Sequence, residues 1–298
     1  MSRPLRRCRT RTVFLFLGLF LLFPSLAQAC RFWVAVGHQV PRDYIIRQLI
    51  SEEHALKHLG KTYPDGWSVG YYDKGDDIVI RGAKAADYNE EFDDAVRYVA
   101  NFQPQITMAH LRRASSGCVK GVPDPHPFRI TYNGINWLFG HNGGINKKVL
   151  MDLIGKPYLK EHPPAVCTEN PPDSWIDSEL FFIFLMKTVQ EHNDHVEEGL
   201  LAALRKLYRA VPQKDRYLNF FLTDGTRVWA FRKGNTLFYQ TDKKNHVTTV
   251  ASTVPEEKDG TWQEFPEDTL AVLSMDQPIR FMPLLKHPVP LHSGKNLL

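Results

Sequence analysis

Strands in the first half, two adjacent helices in the middle and strands again at the end predict a single α+β domain in which helices cover packed sheets. Three observations support this. The 298 residues are 43% hydrophobic and 23% charged, an ordinary globular balance that excludes a disordered chain or a coiled coil. Five prolines between positions 155 and 174 separate a strand-rich half from a helical pair. There is no internal repeat, low-complexity run or break in composition to divide the remainder.

The first 29 residues stand apart. They hold five arginines (Arg3, Arg6, Arg7, Arg9 and Arg11) and no acid, then an apolar run over 13–22 extended through Leu26, then the small-x-small site Ala27-Gln28-Ala29. This pattern reads as a signal peptide, and its apolar run is shorter than the roughly 20 residues that span a bilayer. Arg6-Arg7 is followed by Cys8-Arg9-Thr10, which lack the apolar character of a twin-arginine signal. The expected mature chain is therefore an exported, periplasmic or extracellular domain over 30–298 with no stable transmembrane segment. Without the five arginines, 32 basic residues of the 37 face 33 acidic ones, a net charge of −1. That balance leaves no basic stripe for phosphates and argues against a nucleic-acid partner.

Cys30 would become the first residue. A first-position cysteine is either a lipidation site or an N-terminal nucleophile, and only the second needs a free thiol and a free amine. Leu26 lies one place too far upstream for a lipobox and Gln28 is large and polar for one, while a strand over 31–37 begins at once, without a polar tether. The sequence favours the nucleophile. A lipid-anchored, non-catalytic binding protein is the alternative.

Along the mature chain, apolar residues at Ile45, Ile46, Leu49, Ile50 and Leu56 predict an amphipathic helix over 42–59. A hairpin over 68–80 turns at Asp73-Lys74-Gly75, a helix is expected over 90–101 and a buried strand over 105–110. A second hairpin, 128–132 with 135–139, is joined by Asn133-Gly134, the strongest two-residue turn signal. Residues 155–174 read as an ordered loop. Helices follow over 177–192, almost wholly apolar and so buried, and over 196–209. The chain then returns to strands at 218–223, 227–233, 237–240, 247–251 and 269–274. Cys118 and Cys167 can pair in an oxidising compartment, or stand as two separate buried thiols.

Four segments set polar and turn residues directly beside strands or helices. Cys30 would carry its own base in its α-amine. Arg112, in His110-Leu111-Arg112-Arg113-Ala114-Ser115, can present a planar fork to a carboxylate. Gly140-His141-Asn142-Gly143-Gly144 pairs an amide side chain with close backbone approach, the makings of an oxyanion hole at about 3 kcal/mol per donor. Asp177-Ser178-Glu179 opens the buried helix, where Asp177 or Ser178 could simply cap it. His54 and His58, four apart, lack a third ligand, and no nucleotide or serine-hydrolase motif is present, so neither metal nor cofactor is expected.

Taken together and in order, Cys30, Asp65-Gly66-Trp67, Ala109-His110-Leu111-Arg112, His126-Pro127-Phe128, His141-Asn142-Gly143 and Asp177-Ser178-Glu179, with Ala251-Ser252-Thr253 as a weaker late match, resemble the class II glutamine amidotransferases. These belong to the N-terminal-nucleophile hydrolases, and the resemblance is to their single-domain branch. It implies a four-layer αββα sandwich. It also implies that the Cys30 thiol attacks the side-chain amide of glutamine or a γ-glutamyl compound, with Asn142 and the Gly143 N–H at the oxyanion. Arg112 would hold the α-carboxylate and Asp177 the α-ammonium, with Ser115, Trp67 and His110 among the substrate contacts. The sequence departs from the family at Arg113, where an aromatic is frequent, and at Ile176, where Thr or Ser is usual. Export and the lack of a synthase domain favour hydrolysis over ammonia transfer, with cleavage of another amide on the same fold as a further alternative.

Overall fold

Side-chain alternation along two antiparallel sheets sorts the chain into four layers. The structure is a computed structural model that describes residues 29–73, 75–115, 118, 121–256 and 261–285; the expected signal peptide, apart from Ala29, lies outside the described residues. The first sheet runs in the order β11 (Gln263–Glu264), β9 (Phe238–Asp242), β10 (Val247–Ala251), β1 (Arg31–Gly37), β4 (Ile106–Leu111), β2 (Trp67–Asp73), β3 (Asp76–Gly82). The second runs β13 (Arg280–Pro283), β12 (Thr269–Leu273), β8 (Val228–Arg232), β7 (Tyr217–Thr223), β6 (Ile135–Gly144), β5 (Phe128–Tyr132).

Along β1, Phe32, Val34 and Val36 point toward the second sheet, where they meet Leu138, Phe221 and Ala271. Trp33 and Ala35 point the other way, into a core shared with α1 (Arg42–Ile46) and α2 (Glu90–Asn101). The outer face of the second sheet packs on α5 (Asp177–Glu191) and α6 (Val196–Ala210) through Phe139, Phe220 and Trp229. Three cores between four layers make this an αββα sandwich, formed because the central strands of each sheet bury both of their faces.

Short-range signals placed several elements. Helix α2 spans the expected residues, opened by Asn89, whose Oδ1 accepts the Glu91 N–H at 2.9 Å. The β5–β6 hairpin turns at Asn133-Gly134, both with positive φ. Elsewhere the structure differs. The expected helix over 42–59 is broken: α1 widens into a π turn over Arg47–Ser51, and Glu52 is extended at φ −66°, ψ 157°. The chain leaves the helix because the His54 N–H donates to Pro255 O, a partner from the far end of the sequence. The proline-rich loop contains α4 (Lys156–Glu161), in which Pro157 sits in the first turn, where a missing N–H costs nothing. Before it lies α3 (Lys147–Ile154), which the apolar spacing had not announced.

Candidate active site

The β1–β4 register decides what surrounds Cys30. Phe32 pairs with His110 and Arg31 with Leu111, so one further step sets Cys30 opposite Arg112, on the face turned toward the second sheet. The Cys30 Sγ accepts the Arg113 N–H at 3.2 Å. The loop carrying Arg112 and Ser115 is held by the preceding turn: the Asp65 N–H donates to Arg112 O, the Arg112 N–H to Gly66 O, and the Ala114 N–H to Asp65 Oδ2. Gly66 is required there, since its φ is +111° and a Cβ would sit 2.8 Å from Gly82 O.

Arg112 is 3% exposed and forms no ion pair among the described residues. Its Nη2 donates to Cys118 O, while Nη1 is buried without a partner. A buried guanidinium with an unspent donor and no counter-charge is a site for an anion. The residue lending that carbonyl, Cys118, is in turn disulfide-bonded to Cys167, which settles the pairing left open by the sequence.

From the second sheet, β6 runs on through Gly144, so the Asn142-Gly143 pair lies within a strand rather than beyond its end. Asn142 pairs with Asn219 and turns toward the first sheet, fully buried. Its Nδ2 is 2.6 Å from Ser252 Oγ, and its Oδ1 is buried without a partner. This side chain is thus held by a hydroxyl that also accepts the Phe32 N–H at 3.0 Å. His141, one residue earlier, faces the opposite way toward α5. Its Nε2 meets the Tyr217 carbonyl, so that nitrogen carries the proton and Nδ1 accepts from Ser178 Oγ at 2.9 Å. Burial lowers the His141 pKa and keeps the ring neutral.

Asp177 does not cap α5. It occupies the first helical position after Ile176, and its Oδ2 accepts the Ile145 N–H at 2.8 Å. Two residues on, Glu179 accepts the Ala165 and Val166 N–H groups, and its burial raises its pKa to about 6.

Two residues expected among the substrate contacts are placed in buried settings. Trp67 lies on the face of β2 turned away from the second sheet, edge-on to Phe92 at 5.4 Å in the core beneath α2. Strand alternation puts it there, opposite the face that carries Ser68. His110 is wholly buried, with Nδ1 2.5 Å from Asp124 Oδ2, while Asp124 Oδ1 holds His126 Nδ1 at 3.0 Å. Burial alone would lower the His110 pKa, but the Asp124 carboxylate, aided by the neighbouring Cys30 thiol, raises it to about 10. His126, buried and stacked 4.1 Å from that charged ring, is lowered to about 3 and stays neutral. His110 thus belongs to a buried charged pair beside the thiol rather than to a substrate-facing surface. Sequence reasoning missed Asp124, which lies two residues before the His126-Pro127-Phe128 motif.

His110, Asp124 and His126 are also the one group of close metal-ligand atoms among the described residues. The 2.5 Å separation of His110 Nδ1 and Asp124 Oδ2 is that of a hydrogen bond. Two donors on a common ion, each at about 2.0–2.2 Å, would stand about 3 Å apart or more.

Comparison with known proteins agrees with this architecture. The sequence model of the class-II glutamine amidotransferases matches residues 53–249. A Haemophilus influenzae protein described as a candidate glutamine amidotransferase is 26% identical over 169 residues, covering 56% of this chain and 51% of its own length. An uncharacterised protein of Methanocaldococcus jannaschii is 26% identical over 139 residues, 46% of this chain and 34% of its own. The chain thus spans about half or less of the length of these relatives. Among solved structures, a glutamine aminotransferase class-II domain protein from Silicibacter pomeroyi superposes with a TM-score of 0.53 at 14% identity, over 86% of this chain and all of that one. Glutamine phosphoribosylpyrophosphate amidotransferase from B. subtilis gives 0.58 at 14% identity, over 87% of this chain and 50% of that one. These likenesses show the fold. With the family match covering well over half of its length, the chain belongs to the class-II glutamine amidotransferases.

Proposed function

We propose that the protein is an exported amidohydrolase that cleaves the side-chain amide of glutamine or a γ-glutamyl compound, with Cys30 as its nucleophile once residues 1–29 are removed. The observation that supports this best is the meeting of Cys30 with the uncompensated Arg112 guanidinium, across the sandwich from Asn142. Family membership supplies the reaction class.

In this reading the freed α-amine of Cys30 takes the thiol proton as Sγ bonds to the amide carbon. The oxyanion that forms is met by Asn142 and the Gly143 N–H. The C–N bond then breaks, ammonia leaves with the proton, and a γ-glutamyl thioester remains. Water attacks that thioester, glutamate departs and the thiol is restored. Arg112 binds the substrate α-carboxylate bidentately, and Asp177, with Ser115 beside it, receives the α-nitrogen. Hydrolysis is favoured over transfer to an acceptor because an exported enzyme meets no evident acceptor for nascent ammonia.

The test is the intact mass of the exported protein before and after incubation with a diazo-ketone analogue of glutamine, paired with glutamate release by wild type and Cys30→Ala. A chain starting at unmodified Cys30 that gains one adduct on its N-terminal peptide, and a C30A variant without activity, are expected. Glutamate release by C30A, or an acylated Cys30, would overturn the reading, and the latter would make a lipid-anchored binding protein the better account.

A further inference from the structure

Resting on that amidohydrolase reading, the geometry points to a substrate longer than glutamine: we infer that the enzyme acts on a glutamine acylated at its α-nitrogen, the carboxy-terminal residue of a peptide or an N-acyl glutamine. The two ends of the proposed substrate site differ in how they are enclosed. Arg112, which would take the carboxylate, is 3% exposed, and its spare donor is sealed in the interior. Asp177 and Ser115, which would take the amino end, instead line an open groove of about 850 Å³ together with Gly144.

That volume lies in the range that holds drug-sized ligands, far beyond what an ammonium group fills. Its farther walls are apolar at Met151, Pro172 and Val211. Lys147, also in the lining, is fixed in place, since its Nζ donates to the Asp173 and Trp175 carbonyls, so the wall is formed in advance of binding. Asp177 does not demand a cation. It already accepts the Ile145 N–H and stands at the positive end of the 15-residue helix α5, so a neutral amide N–H is a sufficient donor. An acyl chain on the α-nitrogen would leave the enclosed carboxylate undisturbed and run out along the groove. An extension from the carboxyl group would have to enter the closed end.

The test measures ammonia release by the protein starting at Cys30 from glutamine, N-acetylglutamine, Ala-Ala-Gln, the same tripeptide with an amidated carboxyl terminus, and Gln-Ala-Ala. The expected kcat/KM for N-acetylglutamine and Ala-Ala-Gln equals or exceeds that for glutamine, with a tripeptide rate above the acetyl rate marking a peptide source. Amidation and Gln-Ala-Ala should each lose at least 100-fold. Met151→Trp, which narrows the groove, should lower the ratio of tripeptide to glutamine kcat/KM about tenfold. Glutamine cleaved faster than both α-acylated compounds would overturn the inference while leaving the amidohydrolase reading intact. No ammonia from any of the five would overturn both.

Discussion

The Ser252 hydroxyl lies 2.6 Å from the Asn142 amide and 3.0 Å from the Phe32 N–H, so it joins the second sheet to the strand that begins beside Cys30. With Nδ2 donating to it, Ser252 Oγ accepts twice and its own proton finds no acceptor among the described residues, while Asn142 Oδ1 is buried and unmatched. Turning the amide by half a turn removes both defects. Ser252 then donates to Oδ1, and the NH2 group is freed for an oxyanion.

Ser252→Ala should therefore lower kcat about tenfold with little change in KM, because an unrestrained amide donor is misaligned in the transition state. Asn142→Ala, which removes the donor itself, should cost about 10²–10³. Steady-state kinetics on glutamine, with Ser252→Thr as the rescuing variant, checks this; an equal rise in KM for S252A would assign Ser252 to packing instead.

The Cys118–Cys167 disulfide closes a loop of 49 residues and carries the carbonyl that holds Arg112. Replacing both cysteines by serine should cost about 4 kcal/mol of stability by the chain-entropy estimate. It should also raise KM, since Arg112 loses its brace. Urea unfolding and substrate titration of the double variant, and of wild type with and without a reductant, measure the two effects separately.

Acid should unfold the protein through His126. Its pKa is lowered to about 3, so between pH 6.5 and 3 only the unfolded chain takes up this proton, and stability falls as pH falls across that window. Asp124, held below the ordinary carboxylate range by His110, adds to the loss at still lower pH. Glu179, raised to about 6, acts oppositely over pH 6 to 4.5, where its protonation favours the fold. His110 gives its full stabilisation below pH 6.5 and loses it as pH rises toward about 10. Unfolding free energies measured from pH 4 to 10 should peak near neutrality, and His126→Asn should flatten the acid limb even while lowering stability throughout.

Adjacent glycines in β6 make a matched pair. A Cβ on Gly143 would stand 1.8 Å from the Tyr217 carbonyl oxygen, whereas one on Gly144 meets nothing nearer than Asp177 Oδ2 at 3.8 Å. Gly143→Ala should cost about 3 kcal/mol or more, through forced separation of β6 from β7, and abolish activity. Gly144→Ala should unfold within a degree or two of wild type in a thermal melt.

What the sequence determined by itself is local. The Asn89 cap, the Asn133-Gly134 turn and the apolar stripes over 90–101 and 196–209 fixed their elements, because each depends on neighbours a few residues away. The order of Cys30, Arg112, Asn142 and Asp177 was likewise legible, and with it the resemblance that the family match later supported. The tertiary structure decided everything that depends on partners distant in the chain. The His54 bond to Pro255 broke a helix that its own spacing favoured. Alternation within a sheet of known register sent Trp67 into the core and left Arg112 enclosed without a counter-charge. Asn142 met Ser252, 110 residues away, and His110 met Asp124 only when a turn folded back over β4. Such pairs follow from strand register and layer stacking, which arise from summed packing over the whole domain and are written in no single stretch of residues.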